Sequence, residues 1–227
     1  MSVNIQLTEG EWTVFDYDIP VSVQSGDTVG LRGASSDEGY QYAVRPVFSF
    51  NYKAEGNLIS LFTANLPSST DSSSIGRYSY SYLFSGDTHL IDAENVHFPW
   101  TSISGPAFDG MFQDCTNMIK APSILPATNL AMFNEYRNMF KGCSKITTAP
   151  VLPAETIGQG SYYGMFSGCT SLTGITCLAT DISTDGCTTN WVAGVASSGT
   201  FTKAAGMSSW TTGVNGIPSN WTVQDAS

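Results

Sequence analysis

The chain has 227 residues, of which 12% are charged, and it carries a formal net charge of −10 with nine Lys and Arg residues. The basic residues are scattered singly, which argues against nucleic acid or an anionic membrane as a partner, because binding to phosphate needs clustered positive charge. The low charge and the many Ser, Thr, Gly and Tyr residues favour an extracellular or virion-exposed surface that binds through hydrogen bonds and stacking.

The N-terminal part of the chain predicts short strands. Its first stretch, MSVNIQLTEGEW, has neither a basic nor an apolar segment, so no signal peptide is predicted in this chain. No apolar run in the sequence reaches about 18 residues, so no membrane span is predicted. Alternating runs around turn signals predict strands within 11–33 and 44–56. We interpret residues 1–56 as a small β domain that caps the first repeat.

A five-residue phrase recurs through the middle of the chain. LFSGD begins at Leu83, MFQDC at Met111, MFKGC at Met139 and MFSGC at Met165, so the starts are 28, 28 and 26 residues apart. A period in the twenties predicts a solenoid whose repeats bury their apolar sides by stacking. We place the solenoid at 57–188. The pattern then dissolves, and we predict an irregular C-terminal cap at 189–227.

Each repeat is predicted to contain a short helix and a short strand. Tyr136, Met139, Phe140 and Cys143 fall at i, i+3, i+4 and i+7, which is typical of one buried helical face, whereas LTGITCL (172–178) favours a strand. The predicted fold class is therefore an α/β repeat solenoid. Its predicted core ladder consists of Met111, Phe112, Cys115, Met139, Phe140, Cys143, Met165, Phe166 and Cys169.

The five cysteines are interpreted mainly as buried free thiols. Three of them share one repeat position, and Cys177 aligns with Val151, another expected core position. Neighbouring repeats could bring two sulfur atoms within disulfide reach, but parallel side-chain vectors would strain the bond. No CxxC spacing and no nearby histidine points to a metal, so no metal site and no cofactor is predicted.

The repeats resemble a known family. The pattern MFxGCxxLxxAPxLPA, followed by LATD, NWVxGV and TFxKAAGMxxWTTGVNGIPSxWTV, is similar to the BspA-like leucine-rich-repeat surface proteins of gut Bacteroides and their phages, as are SGDTVGLRG and GNLISLF (56–62). The resemblance covers nearly the whole chain. It implies a short right-handed leucine-rich-repeat stack and a non-catalytic role in adhesion, host-protein binding or receptor recognition by virion proteins. Gln113–Asp114 departs from the usual x-Gly of the family phrase.

The residue pattern gives little support for a catalytic function. The chain has two histidines, His89 and His97, and no GxSxG nucleophile motif. Asp16/Asp18 and Asp92/Glu94 are i, i+2 carboxylate pairs that could serve a glycosidase. Pairs of this kind are more often solvated, so we predict that the protein is not an enzyme. A carbohydrate-active enzyme is kept as the least favoured alternative.

Tyrosines are the favoured ligand-binding candidates, because aromatic faces beside Ser, Thr and Asn suit recognition of glycans and proteins. Three of them alternate before the first repeat and are expected to share one face; stacking on the next repeat is the alternative reading. The candidates are Tyr78, Tyr80, Tyr82, Tyr162 and Tyr163. The predicted function is surface-displayed recognition of a host glycan or protein, on a phage virion or a bacterial cell surface. The alternative is a structural virion subunit, for example a trimer, that packs on its own copies or on other virion proteins.

Overall fold

The computed structural model describes residues 3–7, 13–15, 29–33, 48–58, 75, 77–78, 80–103 and 105–227. For 3–7, 13–15 and 29–33 it describes the backbone alone. Asp16, Asp18 and the first part of the predicted strand at 44–56 lie outside the described residues.

Three strands near the N-terminus form an antiparallel sheet. Val3–Leu7 (β1) is the central strand and pairs with both Thr13–Phe15 (β2) and Val29–Gly33 (β3), in the order β2-β1-β3. Strands were predicted within 11–33, which contains β2 and β3 but not β1. The boundary of a separate β domain at residue 56 stays a prediction.

The rest of the described chain is a parallel β-solenoid of about four turns, and we call each turn a coil. A solenoid was therefore predicted correctly. Its strands pair in parallel as β4 with β5, β6 with β7, and β9 with both β8 and β10. Their bounds are Tyr52–Asn57 (β4), Leu90–His97 (β5), Asn129–Phe133 (β6), Thr156–Gln159 (β7), Gly174–Cys177 (β8), Thr200–Lys203 (β9) and Thr222–Asp225 (β10). β8 lies within the strand predicted at 172–178.

The predicted helix of each repeat is wrong, and with it the α/β leucine-rich-repeat type. The described residues contain almost no helix, and none is long and apolar enough to cross a bilayer. Each MFxGC phrase instead lies in a turn segment, a run of consecutive β-turns. The turn segments are 77–87, of which the structure describes 77–78 and 80–87, and 105–115, 133–143, 159–169 and 185–195. In the third segment Asn134, Asn138 and Gly142 all have φ between 51° and 76°. A left-handed residue at every fourth position cannot belong to an α-helix.

Backbone hydrogen bonds explain how a turn segment replaces a helix. Along 139–143, alternate N–H groups donate within the segment, as Met139 does to Tyr136, and across to the next coil, as Phe140 does to Met165. The left-handed residue at the third position of such a turn is what a type II turn requires. Every backbone donor of this stretch is therefore satisfied, and the coils are joined in register as in a parallel ladder.

Burial follows the predicted spacing although the conformation differs. All nine residues of the predicted core ladder are fully buried. Tandem turns repeat every four residues, so they direct i, i+3, i+4 and i+7 inward much as a helix does. One column of rings runs through Phe84, Phe112, Phe140 and Phe166, with centroids 5.3, 5.4 and 5.7 Å apart and planes within 8° of parallel. Stacked aromatic pairs contribute about 0.5–1.5 kcal/mol each beyond the area they bury.

The cysteine column has a specific partner in each coil. The thiols of Cys115, Cys143 and Cys169 donate to the Phe carbonyl oxygen of the preceding coil, at 3.0, 2.9 and 3.0 Å. Asp87 occupies the same position in the first coil, where its carboxylate accepts a hydrogen bond of 2.6 Å from the Tyr52 hydroxyl. All five cysteines are free and buried. Cys177 pairs with Leu152 rather than with Val151, one position away from the predicted alignment.

Aromatic side chains close the C-terminal end of the core. Trp191 is fully buried, stacks on Trp210 at 5.4 Å and donates its indole N–H to the Gly216 carbonyl oxygen. The Trp221 indole donates to Ala196. The parallel ladder continues through β9 and β10 within the segment that was predicted as an irregular cap.

Candidate functional site

The turn segments build a regular outward surface, which we call the turn face. It consists of the exposed and half-buried side chains at the first, fifth and ninth positions of the segments. The first two segments depart from this pattern, because Ser81 and Asp109 at their fifth positions are buried and the first position of the second segment is Gly105. Adjacent coils are joined by hydrogen bonds, so equivalent side chains are spaced about 4.8 Å apart, as between paired strands. In the third and fourth segments these positions are Phe133, Arg137 and Lys141, and Gln159, Tyr163 and Ser167.

Close contacts between coils keep this surface rigid. Gly164 has φ of 59°, and a Cβ built on it would lie 2.4 Å from Oδ1 of Asn138 in the preceding coil. Likewise, a Cβ on Gly142 would lie 2.1 Å from Oδ1 of Asp114. Glycine is needed at both positions for its left-handed backbone and for the space that the neighbouring side chain fills.

The five predicted tyrosines do not form one face. Tyr80 and Tyr162 are buried and belong to a stacked ring column, so they cannot contribute to an exposed surface. Tyr78 and Tyr82 have positive φ, at 62° and 59°, because they occupy left-handed positions of the first segment. The expected strand-like alternation fails for this reason: tandem turns do not place i, i+2 and i+4 on the same side. Tyr78 and Tyr163 are exposed, each by 37%.

A charged cluster missed by sequence reasoning lies around Tyr163. The guanidinium carbon of Arg137 lies 5.2 Å from the centroid of the Tyr163 ring, within the range of a cation–π contact. On its other side Arg137 attracts the carboxylate of Asp109 in the preceding coil, which also accepts a hydrogen bond from the Tyr82 hydroxyl. The cluster therefore links Tyr82, Asp109, Arg137 and Tyr163 across four coils.

The carboxyl group of Asp109 is buried, which is unusual for an ionisable side chain. Asp109 is 93% buried, and its Oδ1 has no hydrogen-bond partner among the described residues. Burial raises the pKa of Asp109 to about 6, although Arg137 and the Tyr82 hydroxyl act in the opposite direction. The carboxyl group is thus half protonated near pH 6, and its charge beside Arg137 depends on pH within the physiological range.

A second arginine reaches the same region from the first coil. The guanidinium carbon of Arg77 lies 4.8 Å from the centroid of the Phe133 ring, two coils away. The intervening position is Gly105, where a Cβ would lie 3.2–3.3 Å from the Arg77 side chain. The small residue lets the arginine lie flat across the second coil and bring its charge to the third.

The carboxylate pair considered for catalysis is held by lysines. Lys120 forms an ion pair with Glu94 and lies 4.0 Å from Asp92, which Lys53 also approaches to 4.0 Å. The exposed fractions of the Lys120 and Glu94 side chains, 50% and 47%, show that this ion pair is solvated, whereas the Asp92 side chain is only 14% exposed. The arrangement fits an ion-pair network between neighbouring strands better than an acid–base pair, since lysines lie beside both carboxylates.

The thiols are chemically inert in the folded chain. Burial raises the pKa of Cys115 and of Cys177 to about 12, and it also raises the pKa values of Cys143 and Cys169. A thiolate is the nucleophile and the metal ligand, so thiols with raised pKa values suit core packing rather than chemistry. Among the residues that the structure describes, no group of three or more His, Cys, Asp or Glu side chains could hold a metal ion.

Comparisons with protein-family models, with curated proteins and with solved structures found no match for this chain. The resemblance to BspA-like repeats therefore stays an expectation.

Proposed function

We propose that the chain is a non-catalytic recognition module that binds a host glycan or protein through its turn face, displayed on a phage virion or a bacterial surface. The observation that supports this most directly is the Arg137–Tyr163 pair, in which an exposed ring and a guanidinium are positioned on a backbone whose hydrogen bonds are satisfied. A ring and a cation held in advance lose little side-chain freedom when a ligand binds. The surface location rests on the resemblance and on the low-charge composition.

The proposal is tested with the purified chain on an array of glycans and host surface proteins. Tyr163→Ala removes the exposed ring and should weaken binding by roughly tenfold if the ring stacks on the ligand. Ile119→Ala is the matched control, because Ile119 is 52% exposed but lies outside the turn segments. Binding of no glycan and no protein, or equal loss in both variants, would refute a recognition role for the turn face.

A second candidate function, an architectural virion subunit, is favoured by β10. This strand ends the sheet order β10-β9-β8, and all four of its residues are exposed, so it offers an open sheet edge to a neighbour. Light scattering on the purified chain tests this role. A stable trimer or higher assembly that separates when Val223 is replaced by Pro would support it, whereas a monomer at all concentrations would contradict it.

A further inference from the structure

Positive charge is distributed unevenly over the described surface. Lys53, Lys120 and Lys203 form ion pairs with carboxylates, and Lys145 donates to the Asn117 side chain. These four lysines lie on the strands or just beyond a turn segment. The charges of Lys53, Lys120 and Lys203 are compensated by carboxylates, whereas Lys145 lies outside the turn face and keeps its charge, because its hydrogen-bond partner is a neutral amide.

The remaining basic side chains of the described region all lie on the turn face. Arg77, Arg137 and Lys141 make no ion pair within 4.0 Å among the described residues. Arg137 and Lys141 are the fifth and ninth residues of the third segment, and the Arg77 guanidinium lies over Phe133, the first residue of that segment. Three cations with no ion pair therefore converge on the third segment of a chain whose net charge is −10.

The neighbouring acidic groups do not cancel this charge fully. Asp109 lies beside Arg137 but is buried, and desolvation disfavours its ionised form. Asp114 is exposed in the preceding coil and accepts a hydrogen bond of 3.2 Å from the Gln113 side chain. Glu135 is buried below the surface and accepts hydrogen bonds from the Met132 backbone and the Ser161 hydroxyl.

Aromatic rings accompany these cations. Phe133 and Tyr163 each carry a guanidinium on one face, and Tyr163 is also exposed to solvent. Guanidinium groups bind carboxylates through paired hydrogen bonds, and rings stack on the apolar faces of sugars. We propose, resting on the recognition role above, that the ligand of the turn face is a carboxylate-bearing glycan, with Arg137 and Lys141 binding its carboxylates and Tyr163 contacting its sugar rings.

The proposal predicts charge-dependent binding that specific variants weaken. With an oligogalacturonate as probe, Arg137→Gln should lower the affinity by roughly tenfold and Lys141→Gln by about threefold at low salt. Lys120→Gln makes the same change in net charge within an ion pair on the strand side, so it should leave the affinity unchanged. Wild-type binding should weaken as salt rises from about 0.01 to 0.15 M, since the Debye length falls from roughly 30 to 8 Å.

Calorimetry or surface plasmon resonance with three probes separates the outcomes: the oligogalacturonate, a neutral oligogalactan and polyglutamate. Preference for the oligogalacturonate, reduced in Lys141→Gln and kept in Lys120→Gln, supports the proposal. Lys141 is exposed and its side chain makes no ion pair among the described residues, so this variant tests binding even if Arg137→Gln fails to fold. Equal binding of the neutral glycan or of polyglutamate overturns the ligand class but leaves a recognition role intact. If none of the three probes binds while other glycans or proteins on the array do, the ligand class is likewise wrong and the recognition role remains supported.

Discussion

Two glycines in strands of different sheets, β7 and β8, provide the sharpest test of the coil-to-coil packing. Gly158 in β7 lies opposite the irregular register of β6, and a Cβ built on it would lie 2.5 Å from the Leu130 carbonyl oxygen and 2.6 Å from that of Met132. Gly174 in β8 has the same kind of strand position, but its nearest neighbour would be a Thr148 methyl group at 3.8 Å. Neither glycine has a positive φ.

The magnitudes follow from these distances. In Gly158→Ala the methyl group or the facing backbone must move by about 0.5–0.9 Å, which we expect to cost roughly 1–3 kcal/mol as overpacking. In Gly174→Ala the methyl group fits, and the reduced freedom of the unfolded chain should stabilise the fold by about 0.4–1 kcal/mol. The two variants should therefore differ by about 1.4–4 kcal/mol, which corresponds to roughly 3–16 °C in Tm for a chain of this size.

Thermal and urea unfolding followed by tryptophan fluorescence measures both variants against wild type. The expected order of stability is Gly174→Ala, wild type, Gly158→Ala. Equal Tm values for the two variants would contradict the close contact between β6 and β7 at Gly158. A Tm of Gly174→Ala below that of wild type would contradict the open space beside Gly174.

Two further predictions concern buried titratable groups. Because the folded pKa of Asp109 is raised from 3.8 to about 6, its contribution to stability is fully present below pH 3.8 and is lost as pH rises through 6. In urea unfolding, the free energy of unfolding of wild type should fall by up to about 2–3 kcal/mol relative to that of Asp109→Asn between pH 4 and 8. A difference in stability between the two proteins that does not change with pH would contradict the buried environment of Asp109. The thiols should react with Ellman's reagent at pH 8 only after unfolding, whereas an added Ser167→Cys thiol on the turn face should react in the folded chain; rapid reaction of the native cysteines while folded would contradict their burial.

The sequence predicted the solenoid and its buried positions because both depend on periodicity alone. The spacing of Tyr136, Met139, Phe140 and Cys143 identified inward residues correctly, but two backbone conformations share that spacing. The signal that separates them is the recurrence of Asn or Gly at every fourth residue, as in Asn134, Asn138 and Gly142. Such residues favour the left-handed region and disfavour a helix.

The candidate site could not be predicted from the sequence, because it is formed by residues of different repeats that only the stacking of the coils brings together. Arg77 and Arg137 are 60 residues apart in a sequence whose basic residues look scattered, and only the register of the coils brings the Arg77 guanidinium over Phe133, in the same segment as Arg137. The environment of Asp109 likewise depends on residues of both neighbouring coils, since Tyr82 of one coil and Arg137 of the other interact with its carboxyl group. The expectation that Tyr78, Tyr80 and Tyr82 share one face was wrong, because i, i+2 alternation describes a strand and these residues lie in a turn segment, where Tyr80 is buried.

The central claim is that successive coils stack in register around one core. Spin labels on Gln113→Cys and Ala193→Cys test it directly, because both occupy the ninth position of their turn segments, three coils apart, and the native thiols are buried. Stacking at about 4.8 Å per coil places the two labelled backbone positions about 14 Å apart, so double electron–electron resonance should give one narrow distance of roughly 15–25 Å once the label arms are included. A broad distribution, or a mean distance well beyond that range, would contradict the account.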